Sequence, residues 1–191
     1  LNKGKADIRL VLSDDVTNVD MDAIKSALGY AKDANINLTI MGLKKVGEFA
    51  LAGIPNIKSL KLTDTEEIGE FAISDNETLQ VFEAPKLRTI YSGAFVNCPC
   101  LQTLRFGPIE YADESNLPIF DNGTENKINL ILSSDQKELK EEQHVGLWEA
   151  LKTPYADSYD HVHCYFMNNY FESIICGHSK HYEQESDKLL R

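Results

Sequence analysis

The chain has 191 residues, which suits one ordinary domain or one short repeat array. Thirty acidic against nineteen basic residues give a formal charge of −11 and a pI near 4.9, arguing against nucleic acid and anionic membrane surfaces, which both need clustered Lys and Arg. Hydrophobic residues at 42% and charged residues at 26% describe a globular chain rather than a disordered one, and no apolar run approaches the roughly 18 residues of a membrane span.

The first residue is Leu1 rather than Met, which points to a processed or trimmed form. Any signal peptide or lipid-anchor cysteine would lie upstream of it. Residues 7–12 alternate apolar and polar as a strand. Residues 20–32 follow as a helix, with Asp20 as N-cap and Ile24, Leu28 and Ala31 at helical spacing. Residues 36–40 form the next strand. Strand, helix and strand together make an N-terminal cap over 1–45.

From residue 46 a 22-residue period takes over. Val46, Ile68 and Ile90 share one column, as do Ala50, Ala72 and Ala94, then Leu51, Ile73 and Phe95. Ile57, Leu79 and Leu101 follow, then Leu60, Phe82 and Leu104, then Leu62, Ala84 and Phe106. Leu38 and Ile40 precede Leu60 and Leu62 by the same 22 residues. The last columns read L-x-x-L-x-L and end in period-two alternation, so Leu104 and Phe106 face inward from a short strand while Arg105 faces outward. No unit buries both its sides alone; three copies over 46–111 share one core, with parallel strands on one face.

The unit Ile90-x-x-x-Ala94-Phe95-x-x-Cys98-x-x-Leu101-x-x-Leu104-x-Phe106 resembles the leucine-rich repeat of BspA-like bacterial cell-surface proteins. In the column of Cys98 the other two copies carry Ile54 and Asn76. The resemblance is strong over residues 46–111 and loose on the flanks. It implies an α/β leucine-rich-repeat right-handed solenoid, with irregular or helical returns opposite its parallel strands. It also implies export to the cell surface, outer membrane or extracellular space, and adhesion to a protein or glycan.

Beyond Phe106 the period slips. Leu130 and Leu132 fit one more strand after a loop over 107–127. Residues 136–152 read as a helix, 162–166 and 171–176 as two final strands, and 180–191 as a charged tail. Residues 112–191 are thus a degenerate repeat and C-terminal cap, and with no convincing linker the whole of 1–191 reads as one domain.

The outward strand positions Thr39, Lys61, Glu83 and Arg105 are each 22 residues apart. With strands about 4.8 Å apart, their charges run plus, minus, plus along the face. Such a ladder fixes strand register at about 0.2–1 kcal/mol per pair. It also offers a polar platform to a glycan or protein loop, so these four are the candidate ligand-binding residues.

His161, His163, Cys164, Cys176, His178 and His181 gather near the end. On a strand His161 and His163 share one face and could offer two imidazoles to zinc, with His178 or His181 added. The spacing matches no compact zinc motif, so the first reading is surface histidines beside an apolar hairpin with no metal assigned, and a metal-dependent activity is the alternative. The spacing of Cys164 and Cys176 permits a disulfide in an exported protein without setting the Cα distance. Cys98 reads as a small buried hydrophobe, and Cys98-Pro99-Cys100 is no CxxC redox motif. No nucleophile elbow, Walker loop, zincin motif or Rossmann fingerprint occurs. Pairs such as Glu66-Glu67 read as solvated faces, and a non-catalytic protein without cofactor is expected. Sequons at Asn37, Asn76 and Asn122 matter only on a eukaryotic secretory route.

Overall fold

The computed structural model describes residues 4–14, 18–31, 33–112 and 119, together with the strand backbones at 128–132, 162–168 and 171–176. The fold is α/β, built on two parallel sheets. In chain order the elements are β1 (Gly4–Val11), α1 (Asn18–Gly29), β2 (Ala34–Met41), β3 (Lys45–Val46), β4 (Ile57–Leu62), β5 (Glu67–Ile68) and β6 (Val81–Ala84). They continue with β7 (Thr89–Ile90), β8 (Thr103–Phe106), β9 (Tyr111–Ala112), β10 (Ile128–Leu132), β11 (Val162–Asn168) and β12 (Phe171–Cys176).

The long sheet runs β1-β2-β4-β6-β8-β10-β11-β12, and the small sheet runs β3-β5-β7-β9. All pairs are parallel except β11 with β12. From β2 to β8, each strand of the long sheet aligns with the residue 22 positions on: Leu38 with Leu60, Leu60 with Phe82, Phe82 with Leu104. The small sheet keeps the same offset, as Val46 with Ile68 and Ile68 with Ile90 show. β10 aligns Leu130 with Leu104, an offset of 26 that absorbs the longer connection.

Side-chain alternation explains why these strands hold. Leu38, Ile40, Leu60, Leu62, Phe82, Ala84, Leu104 and Phe106 are buried, while the residues between them reach solvent. Phe82 is one of the largest fully buried side chains. Its ring meets Phe95 edge-on at 4.8 Å between centroids and lies 6.2 Å from Phe106.

The small sheet and the turns after it carry the other apolar columns. The turn backbones pair between copies: the Leu51 N–H donates to the Ala72 carbonyl at 2.8 Å, and the Ile73 N–H to the Ala94 carbonyl at 2.9 Å. Each turn holds two left-handed residues in fixed columns: Phe49, Phe71 and Gly93 in one, Gly53, Asp75 and Asn97 in the other. That conformation costs an L side chain about 1–2 kcal/mol. Gly93 meets it without strain, and it also leaves room for the Phe71 ring, which a Cβ there would approach to 2.6 Å.

Asn76 closes the turns from inside. It is fully buried, accepts from the Ile54 N–H at 2.8 Å, and donates to the carbonyls of Leu51 at 2.9 Å and Ile73 at 2.6 Å. A glycan on Asn76 is therefore incompatible with this packing. Cys98, in the same column, donates its S–H to the Ile73 carbonyl at 3.3 Å.

Three expectations change. The helix starts at Asn18, so Asp20 lies in its first turn, where its carboxylate complements the helix dipole instead of capping the end. The returns opposite the long sheet are not purely irregular or helical, since two-residue strands pair there into a second sheet. β1 and β2 are longer than expected, at eight residues each. The expected helix over 136–152 and the tail over 180–191 fall outside the described residues.

Candidate functional site on the long sheet

The four predicted positions stand side by side. Thr39 aligns with Lys61, Lys61 with Glu83, and Glu83 with Arg105, on four adjacent parallel strands. Their inward neighbours are buried, so these side chains turn outward and remain partly exposed. Glu83 binds both flanking cations: Lys61 Nζ lies 3.0 Å from one carboxylate oxygen, and Arg105 Nε lies 3.6 Å from the other. The expected plus, minus, plus order is thus a connected ion network. Lys61 and Arg105 keep 45% and 41% of their side-chain surface in solvent, against 26% for Glu83, so the cations are what the row presents outward.

The row extends further than sequence reasoning found. Arg9 on β1 aligns with Thr39 and is exposed. Arg9 escaped notice because β1 aligns with β2 at an offset of 30 residues, outside the 22-residue period. A second outward row runs in register through Asp7, Asn37, Ser59, Val81 and Thr103. Asn37 donates to Asp7 at 2.8 Å, and Lys5 approaches the same carboxylate at 3.4 Å. The Asn37 hydrogen bond, with help from Lys5, lowers the Asp7 pKa below the usual carboxylate value.

The 22-residue offset pairs charges elsewhere too. Lys45 meets Glu67 at 2.9 Å on the small sheet, Arg88 pairs with Glu110, and Asn97 donates to Asp75 at 2.8 Å. Asp64 sits where β4 leaves the long sheet. It accepts from Lys86 Nζ at 2.7 Å, the Gly42 N–H at 2.9 Å and the Thr63 hydroxyl at 2.8 Å. These three donors, Lys86 foremost, hold its carboxyl far below the ordinary range.

Cys98 is a free buried thiol and Cys100 a free exposed one. Burial pushes the Cys98 thiol up to about 12. In the terminal hairpin Cys164 aligns with Ile175 and His163 with Cys176. The side chains of His163, Cys164 and Cys176 lie outside the described residues, as do His161, His178 and His181. Among the described residues no three His, Cys, Asp or Glu side chains converge as metal ligands. No described helix is long and apolar enough to cross a membrane.

What the long sheet offers is therefore a row of polar and charged side chains held in register on adjacent strands. No family model, curated protein or solved structure matches the chain.

Proposed function

We propose that this chain is a non-catalytic binding module: a short leucine-rich-repeat solenoid of the BspA-like kind, exported to a bacterial surface, where it takes a protein or glycan on the outward face of its long sheet. The observation that carries this reading is the in-register row Arg9, Thr39, Lys61, Glu83 and Arg105. Repeat architectures bind through extended surfaces of this sort, because each added strand repeats the same outward position. A fixed ion network also suits recognition, since side chains already held in place lose little entropy on binding.

A second reading is a scaffold module that spaces components of the cell envelope. It is favoured by the mutual satisfaction of Lys61, Glu83 and Arg105, which is what a pure register lock requires.

One experiment separates the two. The purified chain is applied to an array of matrix proteins and glycans beside a Lys61→Ala/Glu83→Ala/Arg105→Ala variant whose fold is checked by circular dichroism. The binding reading expects a specific hit that the variant loses. A hit kept by the variant moves the site off the sheet, and the absence of any hit leaves the scaffold reading ahead.

A further inference from the structure

Between α1 and the first turn lies an open groove of about 300 Å³, lined by Asp22, Lys25, Glu48, Phe49 and Ala50. Its wall is the end of an aromatic stack. The rings of Phe49 and Phe71 lie parallel within 5°, with centroids 5.2 Å apart, and Phe71 in turn covers Gly93. Phe71 thus has a packing role, over the glycine of the next copy. Phe49 packs on Phe71 of the next copy in the same way, and 48% of it is exposed. It holds this position in a left-handed conformation, at φ 55°, in the very column where the third copy uses glycine.

The polar groups of the groove are not equally available. Lys25 is spent: its ammonium lies 2.8 Å from Asp22 and donates to the Phe49 carbonyl at 3.3 Å, with only 19% of the side chain exposed. Asp22 and Glu48 are exposed. A ligand therefore meets the exposed part of the Phe49 ring, whose π-cloud is negative, the Glu48 carboxylate, and the Asp22 carboxylate, one oxygen of which already holds Lys25.

We infer that this groove binds an arginine side chain of a basic partner protein, the guanidinium stacking on Phe49 as the third layer of the aromatic column while its N–H groups reach Asp22 and Glu48. The guanidinium is planar, permanently charged and weakly hydrated, so it satisfies ring and carboxylates together. An ammonium matches the charge but not the stacking plane. A neutral sugar matches the ring but gains nothing from the charge. The net negative charge of the chain speeds encounter with a basic partner. This site is separate from the sheet row and does not depend on it.

The test uses the full chain and three capped tripeptides, Gly-Arg-Gly, Gly-Lys-Gly and Gly-citrulline-Gly, titrated at low salt while the Phe ring protons are followed by NMR. The arginine peptide is expected to shift the Phe49 resonances saturably, the lysine peptide to bind more weakly, and the uncharged citrulline peptide not to bind. Phe49→Gly, which removes the ring and relieves the backbone, is expected to fold and to weaken the arginine peptide about tenfold. Asp22→Asn/Glu48→Gln keeps the backbone and the ring, and is expected to weaken it to a similar degree. The Lys61→Ala/Glu83→Ala/Arg105→Ala variant is expected to bind the peptide like wild type. Undiminished binding to Phe49→Gly or to Asp22→Asn/Glu48→Gln, equal binding of citrulline, or the absence of a Phe49 shift overturns the inference.

Discussion

Asn76 shows how one residue type is dictated by the backbone around it. Its carboxamide accepts from one turn and donates to two carbonyls, in a place with no access to water. Asn76→Ala removes all three bonds and leaves buried backbone groups unpaired, so a loss of about 2–4 kcal/mol is expected in urea unfolding. Asn76 also serves the backbone N–H of Ile54, its counterpart in the preceding copy. Cys98 and Cys100 differ for the same reason of setting. Burial keeps the Cys98 thiol protonated near pH 8, whereas Cys100 is open to solvent. Native labelling with N-ethylmaleimide at pH 8, mapped by peptide mass, should therefore modify Cys100 and spare Cys98, with Cys98 reacting only after denaturation.

At the scale of elements, strands were legible where they are long enough to alternate. The columns of Leu60, Phe82 and Leu104 located β4, β6 and β8 and set Lys61, Glu83 and Arg105 in one row. The small sheet was not legible, because β3, β5, β7 and β9 have two residues each and show no period of two. The left-handed residues were hidden in part: Gly93 is an ordinary signal for such a backbone, but Phe49 and Phe71 are not. Arg9 was hidden by its different offset. Asp64 belongs to this scale, since it ties the end of β4 to Gly42 and Lys86. Its pKa is depressed on folding, so it stabilises above the unfolded carboxylate pKa of about 3.9 and loses that effect as pH falls below it. Asp64→Asn should thus lower the urea midpoint at pH 7, and the difference from wild type should shrink as pH is lowered from 4 towards 2 and as salt is raised.

For the whole molecule, one offset does most of the positioning. A residue meets its counterpart 22 positions on in both sheets and in the turns, so charges placed with alternating sign become ion pairs without further design. The outward row is a product of this arrangement. The row Thr39, Lys61, Glu83 and Arg105 and the stack of Phe49 on Phe71 both depend on it, because each joins residues 22 positions apart. Disulfide trapping between outward positions of the second row tests it most directly. Ser59, Val81 and Thr103 align on three successive strands. Neighbouring strands are about 4.8 Å apart, within the Cα range of about 4.4–6.8 Å that a disulfide accepts, and alternate strands are not. Ser59→Cys/Val81→Cys and Val81→Cys/Thr103→Cys should therefore cross-link on mild oxidation, and Ser59→Cys/Thr103→Cys should not. A cross-link in the third pair, or none in the first two, would contradict the register on which the proposed surface is built.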